Sequence, residues 1–234
     1  MNPAIRNWFG FATLALMLVS LFMIFDYVPT EIDEGIVQRI FYFHVPCAWV
    51  AFAAFGMVGV AGMLYLWLGD QIWDDLGYAA AETGMVFCTL MLVTGSIWAR
   101  PIWNAWWTWD SRLTTTFILW LMYIGYMMLR ASADDTPQVA RFAAVVGIVA
   151  TLDVPIIIVS VRLWRTIHPA VLLTKQGSHG LQDPRMIATL LVSLAAMTAL
   201  WGWLLWLRFA QLRARSRMNE LAMRIGFADA AIGD

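Results

Sequence analysis

The chain has 234 residues, 61% of them apolar and 13% charged, and a formal net charge of -1. Such a ratio leaves too few polar side chains to clothe a soluble core of this size, and the near-neutral charge excludes the basic footprint of a nucleic-acid-binding protein. The 14 tryptophans suit water–bilayer interfaces and flat apolar ligands.

A helix needs about 20 apolar residues to cross a hydrocarbon core ~30 Å thick. Six stretches qualify, at 8–28, 46–68, 78–98, 113–129, 142–161 and 186–207. The expected fold is therefore all-α, an integral membrane bundle of six transmembrane helices. It forms one domain over 1–212, followed by a polar C-terminal tail, 213–234. The first stretch follows Arg6, as the h-region of a signal peptide would. It is long for one, and it ends in Asp26-Tyr27-Val28-Pro29 with no small-residue cleavage site, so it reads as a retained helix. Pro46 is expected to start the second helix. Pro155 is expected to kink the fifth. Cys47 and Cys88 stand in apolar runs without a CxxC pattern and read as small buried residues. The connections are expected to span 9 to 24 residues, and a loosely ordered tail follows the last helix.

With six spans, both termini share one side with loops 69–77 and 130–141. That side carries eight arginines, against seven Lys and Arg on the other, which is almost no bias. The cluster directly after the last helix (Arg208, Arg213, Arg215, Arg217 and Arg224) points to a cytoplasmic C-terminus. Parity then puts loops one, three and five together on the outer face. Loop one ends in Phe41-Tyr42-Phe43-His44-Val45-Pro46. Loop three, Ala99 to Arg112, contains Trp103, Trp106, Trp107, Trp109 and Asp110. Loop five contains Trp164 and His168. Two histidines 124 residues apart are thus placed at one membrane face around a Trp-rich loop.

Haem asks a protein for axial ligands, a flat apolar surface and cations for its propionates. Neutral imidazole ligates iron well once its second nitrogen is oriented by an acceptor. His44 and His168 are the candidate ligands, and His179, in the polar Gly177-Ser178-His179-Gly180, reads as a solvated residue. The Trp loop is expected to be a short interfacial helix or turn opening at Pro101. Trp103, Trp106 and Trp107 would then lie on neighbouring faces, with Asp110 one turn beyond. An aromatic belt would scatter one or two Trp per helix end, whereas five between Trp98 and Trp109 make a platform. Arg39, Arg100 and Arg112 flank these segments and suit propionates, because guanidinium pairs bidentately with carboxylates. Interfacial snorkelling is the plain alternative for each. Asp110 could orient an indole or pair with Arg112. Asp153, deep in the fifth span, is costly there and suits a structural or a functional role equally. Glu82 is expected at an interface.

The segment Trp106-Trp107-Thr108-Trp109-Asp110, preceded by Gly95-Ser96-Ile97-Trp98-Ala99-Arg100-Pro101, resembles the WWD signature of the haem-handling membrane proteins. Similarity extends over Phe41 to Trp49, Leu113 to Tyr126 and Val154 to His168, and fits the short six-helix CcmC type of the bacterial cytochrome c maturation system. The resemblance implies that His44 and His168 are axial ligands of haem b held as transient cargo, and that the Trp loop supports the ring. It further implies delivery to the periplasmic haem chaperone CcmE, with the small membrane protein CcmD and the ABC-type CcmA and CcmB completing the assembly in the inner membrane. Two positions depart from the family pattern. Leu163-Trp164-Arg165-Thr166-Ile167 stands where a paired Trp-Trp is expected before His168, and Asp153 stands where Asn is expected.

No nucleophile–base pair, phosphate-binding Gly loop or HExxH cluster suggests an enzyme. A membrane cytochrome b passing electrons to a quinone is a second reading, but such proteins hold haem mid-bundle, and here the histidines lie at helix ends. A solute transporter with a Trp belt is a third.

Overall fold

The computed structural model describes residues 3–132, 136–164, 181 and 183–232. Helix α1 (Pro3–Phe22) ends in a π-helical turn (Met23–Tyr27), and a 3-10 turn (Ile36–Ile40) leads into α2 (Phe41–Leu68). Then come α3 (Gln71–Trp103), α4 (Ser111–Ser132), α5 (Pro137–Thr151), α6 (Asp153–Leu163) and α7 (Pro184–Ile232). The architecture is all-α, and α5 and α6 together make one of six segments long and apolar enough to cross a membrane.

The long α2 is central, packing most extensively on α3 and α5. Val50, Ala51, Ala54, Phe55 and Val58 are fully or almost fully buried along it. The Phe55 ring stacks on Tyr123 of α4 with centroids 3.8 Å apart. Small residues let the backbones approach: a Cβ on Gly84 would stand 2.9 Å from that of Ala54. Close approach of this kind is how apolar helices gain dispersion energy when lipid gives them no hydrophobic drive to associate. Helix α1 lies on α7, where Ser20 and Ser193 share a buried hydroxyl hydrogen bond of 3.0 Å.

Several boundaries differ from expectation. Pro46 does not start α2; it falls in the second turn, because the chain is already helical from Phe41 after its 3-10 lead-in. Pro101 does not open a new helix either, and stands in the last turn of α3, which ends at Trp103 with Asn104 in the left-handed region (φ 55°). Residues 104–110 are not helical, so i, i+3 and i, i+4 spacing does not govern the tryptophans there. The connection between α2 and α3 is two residues rather than nine. Gly69 (φ 72°) closes α2, its N–H donating to the Tyr65 carbonyl, and the Asp70 side chain caps α3 by accepting from the Ile72 N–H at 2.9 Å. The fifth span does break, at Leu152. Pro155 lacks the N–H that residue 151 would accept from, and its ring crowds that carbonyl. Beyond Leu207, α7 stays helical through the expected tail to Ile232.

At the end of the bundle opposite residues 104–110, acidic residues of α3 bind arginines of α4 and α7. Asp74 pairs with Arg130 at 2.8 Å, both nearly fully buried. Asp75 pairs with Arg213 at 3.0 Å and accepts from the Ser216 hydroxyl. Glu82, expected at an interface, accepts from Arg208 at 2.8 Å. Arg130 also lies over the Tyr78 ring, 4.5 Å from its centroid.

Candidate functional site

His44 stands in the first turn of α2 and is 8% exposed. Its Nδ1 lies 3.1 Å from the Met91 carbonyl oxygen and 3.2 Å from the Thr94 hydroxyl, both on α3. The Thr94 hydroxyl donates to the Leu90 carbonyl at 2.7 Å, and a carbonyl only accepts. Nδ1 is therefore the donor, and in the neutral ring Nε2 is the nitrogen that carries the lone pair. The ring rests directly on Gly95, where a Cβ would meet His44 Cε1 at 2.9 Å. Only glycine leaves room there for the imidazole.

His44 lines a cavity of about 250 Å³ with Glu34, Trp98, Trp103, Trp107 and Arg112. Trp98 presents itself edge-on to His44, with ring centroids 5.8 Å apart, and edge-on to Phe41 at 5.9 Å. Its indole N–H donates to Glu34 Oε2 at 3.0 Å. The Trp107 indole nitrogen is buried without a hydrogen-bond partner. Arg112 is half-buried in the first turn of α4. Burial pushes the Glu34 carboxyl above its ordinary value, and the Glu31 and Asp33 carboxylates add to that direction.

The tryptophans do not share one face. Trp98, Trp103 and Trp107 reach the cavity. Trp106 and Trp109, 60% and 73% exposed, line a second groove with Phe117 and Trp120. Trp107 forms part of both walls and meets Trp109 and Phe117 edge-on at 5.9 and 6.0 Å. This division follows from the end of α3 at Trp103 and the non-helical path to α4.

The arginines are also divided. Arg112 lines the cavity. Arg100 is turned to Asn104, donating to its carbonyl at 3.0 Å and to its side-chain oxygen, so it secures the end of α3. Arg39 is half-buried with its Nε lacking a partner and is not among the lining residues. Asp110 Oδ1 accepts from the Leu113 N–H at 3.0 Å, and its carbonyl accepts from the Thr114 N–H. It caps α4. His168 and His179 lie outside the described residues. Asp153 Oδ2 is buried without a hydrogen-bond partner.

The family model described as Heme exporter protein C, CcmC, matches residues 1–224. The chain belongs to the CcmC family. Similar relatives include Heme exporter protein C of Bradyrhizobium diazoefficiens, 35% identical over 96% of this chain and 81% of that protein. Heme exporter protein C of Haemophilus influenzae is 32% identical over 86% of this chain and 81% of its own length. That of Escherichia coli K12 is 31% identical over 94% of this chain and 90% of its own.

Three residues that line this cavity, Met91, Gly95 and Glu34, carried no role in the sequence. Met91 contributes only a backbone oxygen, which composition never reveals. Gly95 lies inside the quoted motif, and its meaning appears only when α2 is laid against α3. Glu34 sits in an acidic loop whose ordinary reading is solvation.

Proposed function

We propose that this protein binds haem b as transient cargo and delivers it to the periplasmic chaperone CcmE for c-type cytochrome biogenesis. It acts as a carrier, not as an enzyme. His44 is one axial ligand of the iron and His168 the other, while Trp98, Trp103 and Trp107 support the ring and Arg112 receives a propionate. The membrane is the bacterial inner membrane, with both termini cytoplasmic and residues 104–110 in the periplasm. CcmD, CcmA and CcmB are the expected partners.

One observation carries the proposal: the buried imidazole of His44 donates through Nδ1 to the Met91 carbonyl while it lines an aromatic cavity. That is how proteins fix the tautomer and direction of an iron-binding histidine. The unpartnered Trp107 indole N–H is a buried donor that a bound acceptor would satisfy. A cavity of about 250 Å³ is just below the ~300 Å³ from which pockets that enclose a ligand begin, and a partial enclosure suits cargo that must leave.

The test is transfer of haem to CcmE together with the absorption spectrum of the protein. His44→Ala and His168→Ala should each abolish transfer and disturb a low-spin bis-imidazole spectrum, and His179→Ala should do neither. Full delivery by either ligand variant removes that histidine from the site.

A further inference from the structure

We propose that Glu34 is a positioning residue of the haem site, holding Trp98 and through it the face that the cavity presents to its cargo. This rests on the haem reading of the cavity, but the contact itself is independent of it. Glu34 and Trp98 are 64 residues apart and belong to different segments, the loop before α2 and the outer end of α3. The indole N–H reaches the Glu34 carboxylate at 3.0 Å, and both residues line the cavity that holds His44.

The loop that carries Glu34 is braced. Glu31 Oε2 accepts from the backbone N–H groups of Asp33, at 2.7 Å, and of Glu34. The Gly35 N–H donates back to the Glu31 carbonyl at 3.1 Å. Gly35 adopts φ 63°, which favours glycine over any residue with a Cβ. A 3-10 turn then joins this brace to the first turn of α2, where Phe41 and His44 both meet the Trp98 ring. Glu34 is thus held at its own end and grips the indole at the other.

A carboxylate half-buried beside an apolar cavity is unfavourable unless something retains it. Burial and its two acidic neighbours hold its pKa above the ordinary value, so an exposed placement would suit the side chain better. What it gains is a charge-assisted hydrogen bond to an indole that meets the candidate iron ligand edge-on. Removing that bond leaves Trp98 free to turn about its side-chain torsions, and the imidazole loses the edge that limits its own rotation.

The experiment uses the full-length protein in detergent, titrated with hemin, with Glu34→Ala, Glu34→Gln, Trp98→Phe and the Glu34→Ala/Trp98→Phe pair. Glu34→Ala should weaken haem binding about tenfold, the scale of one hydrogen bond to a charged group, and raise the high-spin fraction of the spectrum. Glu34→Gln keeps an acceptor without the charge and should lose only about threefold, roughly half the free energy of the bond. Trp98→Phe keeps a ring but loses the N–H, so it should match Glu34→Ala, and the pair should cost no more than either alone. The indole N–H signal of Trp98, identified in ¹⁵N-indole NMR spectra by its absence from Trp98→Phe, should shift in haem-free Glu34→Ala and remain near its place in Glu34→Gln.

Haem binding by Glu34→Ala equal to that of the parent overturns the proposal. So does a Glu34→Gln variant as weak as Glu34→Ala, because charge and not the hydrogen bond would then be at work. If Glu34→Ala fails to fold, weakened binding by Trp98→Phe beside the smaller loss in Glu34→Gln supports the proposal, and parent-like binding by Trp98→Phe overturns it. A parent protein that binds no haem defeats the proposed function instead, and the haem-free indole signal still decides whether Glu34 positions Trp98.

Discussion

Gly95→Ala isolates the seat of His44 from every other part of the site. The added Cβ would stand 2.9 Å from His44 Cε1 and 3.3 Å from Nδ1, whereas carbon atoms rest about 3.5–4.0 Å apart. The ring must retreat by at least about 0.6 Å to restore that separation. Met91 and Gly95 occupy the same face of α3, four residues apart, so a retreat from one is a retreat from the other. Nδ1 then moves from 3.1 Å to beyond hydrogen-bonding range. A buried donor left unsatisfied costs about 1–3 kcal/mol, and overpacking costs a similar ~1–3 kcal/mol. Shared relaxation leaves about 2–3 kcal/mol of lost folding stability, and an imidazole no longer fixed by its backbone acceptor should bind haem roughly 10- to 100-fold more weakly. Gly125→Ala is the control, because nothing lies within 4 Å of a Cβ there. It should leave haem binding unchanged and stabilise α4 by up to about 1 kcal/mol. The assay is hemin titration followed by absorption, with thermal unfolding of both variants in detergent. Gly95→Ala binding haem as the parent does, with an unaltered low-spin spectrum, would refute the reasoning.

The buried Asp74–Arg130 pair should behave as a coupled unit. Asp74→Ala strands a buried guanidinium and should cost about 3–5 kcal/mol, while Asp74→Leu with Arg130→Met should cost much less; equal losses in a detergent unfolding series would show that the pair is not coupled. Cysteines introduced at Asn104 and Asp234 should divide by side, an impermeant reagent labelling 104 and not 234 in intact spheroplasts; the opposite pattern reverses the orientation. Among the loop tryptophans, Trp107→Ala should lower haem per protein more than Trp106→Ala or Trp109→Ala, with Trp107→Phe intermediate, and reduced membrane abundance at constant haem stoichiometry would instead mark the loop as an anchor. Asp110→Asn preserves an N-cap and should leave stability nearly unchanged, whereas Asp110→Ala should cost about 1 kcal/mol; loss of haem transfer by Asp110→Asn at full stability would show that the charge has a further use.

Six spans were legible because bilayer thickness imposes a length that composition reveals directly. Their ends were less so. Pro46 and Pro101 looked like helix starts, since proline is welcome in a first turn; both lie within helices that neighbouring packing sustains. The true stop signals were Gly69 and Asn104, residues that accept the left-handed conformation, together with Asp70 as a cap. The tail arginines were counted as an orientation signal, yet Arg208 and Arg213 bind Glu82 and Asp75, so part of that charge is neutralised inside the bundle. At the site, His44 and the tryptophans announced themselves by residue type. The acceptor carbonyl of Met91, the bare backbone at Gly95 and the Glu34 contact arise from how α2 lies on α3, which no single-segment pattern encodes.

The two-residue turn at Gly69 and Asp70 has a consequence for biogenesis. His44, the Met91 carbonyl, Gly95 and Trp98 all belong to one helical hairpin, α2–turn–α3, that is contiguous in sequence. Contacts this local form early, because little loop-closure entropy stands against them. The hairpin can enter the bilayer as a unit and seat the imidazole before α4 packs against it. Arg112 and Trp107 arrive afterwards, closing over a half-site that already has its tautomer and direction.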